Sequence, residues 1–196
     1  MQRAALLVLL GVVLLVEPAF AADQAAPPAA VKGKAALLVV DTQNLYLSWM
    51  DEKDKGIALY MINATIELFR ERGLPVIRVY NTDPVRGPAP GSEPFEFPAT
   101  ILVKPDDPMV VKNHPSAFQQ TELERVLREQ GCDTVFITGL SAVGCALATY
   151  FDAERLDFRT FMVKNALLSH RTELTRSVEE ITGAVSYEAV EYMLLD

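Results

Sequence analysis

Six consecutive apolar residues, Ala35, Ala36, Leu37, Leu38, Val39 and Val40, stop abruptly at a carboxylate, Asp41. A strand with one wet face alternates apolar and polar side chains. An unbroken apolar run suits a strand covered on both faces, as in a parallel sheet. Residues 75–80, 132–138 and 158–163 are also read as strands, and the β-branched stretch 134–138, read as buried, ends at Gly139. Helical patterns lie between these runs. The first, over 57–72, carries Ile57, Leu59, Met61, Ile62, Ile66, Leu68 and Phe69 and ends at Gly73. Others cover 121–130, 143–156, 171–181 and, at the end, 188–195. This alternation predicts an α/β domain with a mostly parallel, doubly wound sheet and helices on both faces. Residues 101–103 and 109–111 are expected to be short extended segments, and 184–187 a last strand. The Pro- and Gly-rich stretch 81–98 is expected to be a loop over the surface.

The N-terminus does not share this pattern. Arg3, the apolar run 4–16, Pro18 and Ala19-Phe20-Ala21 read as a secretory signal peptide over 1–21 with an A-x-A cleavage site. The run is shorter than the roughly 20 residues that a transmembrane helix needs, so no stable membrane insertion is expected after processing. Residues 22–34, rich in Ala and Pro, form a flexible lead-in. That leaves 35–196 as one domain, exported to a periplasm or secreted. In such a compartment Cys132 and Cys145 must be considered as a disulfide. They flank one strand, and at about 3.3 Å per residue it holds them too far apart, so two free thiols are expected. A net charge of −8 without a basic cluster argues against a nucleic-acid partner. His114 and His170 are the only histidines, and neither has metal-ligand spacing. Neither a metal nor another cofactor is expected; His114 reads as a loop residue and His170 as a helix-start residue.

Three residues carry chemistry. Cys145 stands where a strand gives way through small residues to a helix. Unpaired N–H groups and the dipole at a helix N-terminus lower a thiol's pKa from about 8.5. The same N–H groups can hold an oxyanion. A buried packing cysteine is the alternative. Asp41 directly follows a buried strand, where a carboxylate is costly unless it is partnered or used, and a capping role is its alternative. Lys112 ends an apolar segment, and its alternative is a snorkelling surface residue. As a set, Asp41 accepts the thiol proton, Lys112 stabilises the thiolate and orients Asp41, and Cys145 attacks a carbonyl.

These stretches resemble the isochorismatase-like cysteine hydrolases, the superfamily that includes nicotinamidases and N-carbamoylsarcosine amidohydrolase. Residues 35–44 are similar to the family's first strand with its D-x-Q-N ending, 112–118 to its K-x-x-x-S-A-F, and 139–145 to its nucleophile turn. The resemblance implies the family fold and a catalytic triad of Asp41, Lys112 and Cys145. It implies a cis peptide between Leu140 and Ser141 and an oxyanion hole from the backbone N–H groups of Ser141 and Cys145. It also implies a substrate pocket lined by Gln43, Asn44, Trp49, Phe118 and Leu140; Tyr46 and Trp49 either line that pocket or simply pack. The family commonly assembles into dimers or tetramers, so a homo-oligomer is implied. Where nicotinamidases carry a D-x-H metal motif, this chain reads Tyr80-Asn81-Thr82-Asp83-Pro84. The turn has Ala142-Val143 where the family places Thr and Asn or Asp. The implied activity is a metal-independent cysteine hydrolase that cleaves an amide, ureido or carbamoyl C–N bond of a small molecule through a thioester. The alternatives are a non-catalytic periplasmic binding protein that keeps the fold, and a vinyl ether hydrolase of the isochorismate type.

Overall fold

The computed structural model describes residues 33–83, 85 and 87–195. Five strands run β1 (Lys34–Val40), β2 (Val76–Asn81), β3 (Met109–Lys112), β4 (Cys132–Leu140) and β5 (Arg159–Leu168). They form one sheet of order β3-β2-β1-β4-β5, and every pair is parallel. The helices are α1 (Asn44–Leu47), α2 (Glu52–Glu71), α3 (Leu123–Glu129), α4 (Leu147–Arg155), α5 (Thr172–Ile181) and α6 (Tyr187–Met193).

The apolar run of β1 is buried on both sides, as its lack of alternation requires. Ala36, Leu38 and Val40 face a core that holds Leu123 and Leu127 of α3, Ala153 of α4 and Val178 of α5. Ala35, Leu37 and Val39 face the other core, with Ile62, Ile66 and Phe69 of α2 and Val190 and Met193 of α6. Two covered faces make this a doubly wound sheet. Its central neighbours, β1 and β4, carry chain off in opposite directions across the sheet. The crevice at their carboxyl ends is where such folds place ligands. The signal-peptide reading of 1–21, and nearly all of the lead-in, lie outside the described residues.

Several elements differ from the sequence reading. Helix α2 starts at Glu52 rather than 57, because Asp51 caps it by accepting the N–H groups of Lys53 (2.9 Å) and Asp54 (3.1 Å). The expected polar loop after Asp41 contains the single turn α1. Residues 101–103 form no strand. Leu102 N–H donates to Asn63 Oδ1 and Leu102 O accepts from Arg70, so side chains of α2 satisfy backbone that a ladder would otherwise pair. The expected strand at 184–187 reduces to one bridge, Val163 with Val185. Residues 81–98 do not merely run over the surface. Phe95 and Phe97 are buried and stack on Tyr80, with ring centroids 4.8 and 4.3 Å away, which pins the segment to the sheet.

Candidate active site

The site is assembled from the carboxyl ends of three strands. Asp41 follows β1 at φ 49°, a left-handed conformation that aspartate tolerates better than most residues. Its N–H still donates to Val79 O (2.8 Å), so the turn begins without losing the ladder bond to β2. Lys112 is the last residue of β3, and its side chain is fully buried. Its ammonium donates to Asp41 Oδ2 at 2.7 Å, which joins residues 71 positions apart. Asp41 Oδ1 is buried and has no hydrogen-bond partner among the described residues. A buried carboxylate oxygen left without a donor is costly and is the kind of feature function retains.

Strand β4 supplies the nucleophile turn. Gly139 adopts φ 101°, and a Cβ there would lie 2.0 Å from Val40 O, so only glycine lets β4 pass this close to β1. The Leu140–Ser141 peptide is cis. Ser141 O then accepts N–H bonds from Gly144 (2.8 Å) and Ala146 (3.1 Å), closing a wide π-helical turn over Ala142–Ala146. Within it Gly144 departs from helical geometry at φ −132°, ψ −105°. A regular helix start was expected here; instead Cys145 sits half-buried in the turn, ahead of α4. Both cysteines are free thiols.

The expected lowering of the Cys145 pKa does not hold. Burial, and then the negative charge of Asp41, push the thiol up to about 11, against the opposing pull of Lys112. Burial likewise raises the Asp41 carboxyl, with the Lys112 charge and hydrogen bond working against the rise. At neutral pH the thiol is therefore protonated, and it interacts with the Asp41 carboxyl, whose Oδ2 is held by Lys112. Raising the carboxyl also makes it a stronger base than a solvated aspartate.

Asp41, Ser141 and Cys145 open onto one cavity of about 220 Å³. Of the expected pocket residues, Trp49 and Leu140 line it. Tyr46 lines it too, edge-on to Trp49 with centroids 5.5 Å apart. Gln43 does not: it is fully buried and clamps the backbone of Asn81, accepting its N–H (2.8 Å) and donating to its O (3.1 Å). Asn44 ties α1 to the 81–98 segment through Glu93, at 2.9 and 3.0 Å. Phe118 packs in the core against Phe158, and Ala117 N–H beside it donates to Thr149 of α4. These three residues hold the scaffold around the cavity rather than its wall.

Met50, Asn81 and His170 also line the cavity and were not anticipated. The signal for two of them was present: Asn81 ends β2, and His170 comes two residues after β5, so the carboxyl-end rule covers both. His114, by contrast, bonds Gln120 in its loop. Among the described residues no group of three or more His, Cys, Asp or Glu is placed to hold a metal ion.

Known proteins share this fold. A family model described as the isochorismatase domain matches residues 35–181. YrdC, an uncharacterised isochorismatase family protein of Bacillus subtilis (strain 168), is 30% identical over 137 residues, covering 68% of this chain and 73% of that protein. Enterobactin synthase component B of Escherichia coli (strain K12) is 29% identical over 169 residues; the match covers 76% of this chain but only 58% of that protein. The crystal structure of N-carbamoylsarcosine amidase from Thermoplasma acidophilum is similar at a TM-score of 0.68 and 28% identity, covering 78% of this chain and 95% of that one.

Proposed function

This chain belongs to the isochorismatase family, whose members are hydrolases, and within it we propose that the protein is a metal-independent cysteine hydrolase of small-molecule C–N bonds. The observation that carries the reading is the meeting of Asp41 and Cys145 on the wall of one cavity while Lys112 holds Oδ2 of the carboxylate.

In the proposed cycle Asp41 takes the Cys145 proton as the sulfur attacks the substrate carbonyl. Backbone N–H groups of the turn, at Ser141 and Cys145, hold the resulting oxyanion. The C–N bond breaks as the protonated Asp41 gives its proton to the departing nitrogen, leaving a thioester on Cys145. Water then attacks the thioester, Asp41 takes a proton from it, and that proton returns to the thiol as the acid leaves. Lys112 fixes the carboxylate and moderates its charge throughout. The N-terminal pattern of 1–21 supports export of the enzyme.

The test is a panel of small primary amides, ureido and carbamoyl compounds, read by ammonia release with and without a strong chelator. Turnover that survives chelation and disappears in Cys145→Ala, with folding retained by circular dichroism, is the expected result. Turnover that persists in Cys145→Ala would remove the cysteine mechanism.

A further inference from the structure

Resting on that hydrolase reading for its chemistry, we infer that the cavity selects an uncharged amide with a compact apolar far end, and that Tyr46, held by Asn81, helps to bind it.

The charges at the site come first. Asp41 is the one carboxylate on the wall among the described residues, and its cation, Lys112, is already committed to it at 2.7 Å. Neither lysine nor arginine lines the cavity among the described residues. His170 lines the cavity but is itself exposed, so water screens whatever charge it carries. A substrate carboxylate would therefore lose its water, meet no lysine or arginine among the described lining residues, and face Asp41. Unpaired charge of this kind is an effective means of rejecting a ligand.

The walls supply the second argument. Tyr46 and Trp49 form an edge-on aromatic pair, with Met50 and Leu140 completing an apolar lining. The polar groups are neutral and fixed. Asn81 Nδ2 donates to Tyr46 Oη at 2.8 Å, while Gln43 holds the Asn81 backbone at both its N–H and its O. Tyr46 keeps its phenolic proton, because burial raises it and Asp41 and Cys145 add to the rise. With a lone pair taken by Asn81, the Tyr46 hydroxyl has its proton left to donate to a neutral acceptor on the substrate.

One experiment reads charge selection without requiring turnover. Cys145 is alkylated at one pH with neutral iodoacetamide or anionic iodoacetate, the site is assigned by peptide mapping, and the ratio of rates is divided by that for N-acetylcysteine. The expected normalised preference for iodoacetamide is roughly tenfold or more, the scale of leaving a charge unpaired. Trp49→Arg, an exposed position at the rim, places a cation beside the cavity and should remove most of that preference. Turnover is then compared for crotonamide and fumaramate, which differ by a methyl group against a carboxylate. Crotonamide should be the better substrate, and Tyr46→Phe should raise its KM by roughly tenfold, the effect of deleting a matched hydrogen bond. Equal normalised alkylation by the two reagents would overturn charge selection, and an unchanged KM in Tyr46→Phe would overturn the role of Tyr46. Preserved alkylation preference with no amide cleaved would defeat the hydrolase reading and leave charge selection standing.

Discussion

At the residue scale, the Cys145 thiol and the Asp41 carboxylate oppose each other's ionisation, and this fixes the sign of their mutants. Asp41→Asn removes the negative charge that raises the thiol and frees the Lys112 ammonium to stabilise a thiolate. The midpoint of Cys145 alkylation against pH should therefore move below the parent value of about 11. Turnover should nevertheless fall by roughly 10²–10⁴-fold, because the base is gone. Faster alkylation with slower catalysis separates a general base from a group that merely activates the thiol. Lys112→Met should move the alkylation midpoint the other way, upward, since the one cation that favours the thiolate is lost. It should also cost about 3–5 kcal/mol of stability, the usual consequence of leaving one member of a buried pair alone. Alkylation profiles that coincide with the parent in both variants would show that the three side chains do not act together.

At the element scale, the site depends on how closely β1 and β4 approach and on what holds the end of β2. Gly139→Ala would drive a Cβ into Val40 O and force an alanine to φ 101°. A loss of about 3 kcal/mol or more is expected, and it should appear as a fall in Tm of several degrees. The opposite end of the crevice depends on Gln43. Gln43→Ala deletes both bonds to the Asn81 backbone and leaves its N–H and O to find other partners. The expected cost is about 1–3 kcal/mol. Because Asn81 carries Tyr46, KM should rise with it while Cys145 alkylation by iodoacetamide changes little. A KM equal to that of the parent would mean that Asn81 keeps its place without the clamp.

For the whole molecule, the doubly wound sheet leaves one crevice where chains diverge, and three distant sequence segments meet there. The family domain covers 35–181, and the proposed signal peptide precedes it. Protein from the native host should therefore begin near Ala22 on N-terminal sequencing. An intact Met1 in a cytosolic fraction would remove the proposal of export. The described residues contain no helix long and apolar enough to cross a membrane.

The fold was legible in the sequence because apolar runs without alternation have only one comfortable setting, a strand covered on both faces. Such a run located β1, other apolar and β-branched stretches located β2, β4 and β5, and strand ends located Asp41, Lys112 and the turn to Cys145. What the sequence could not convey was which polar side chain ends up facing which partner. Gln43 and Asn44 look alike as polar residues beside Asp41, yet one clamps Asn81 and the other binds Glu93, and neither lines the cavity. Phe118 follows Lys112 closely but is drawn into the core by Phe158. The expected thiol activation failed for the same reason. A helix start viewed alone favours a thiolate, whereas burial and an aspartate from 104 positions earlier in the chain hold the proton on sulfur. Local pattern determines which segments are buried and how they run. Only the packed molecule brings distant charges together in a low dielectric, and there their mutual energies decide protonation.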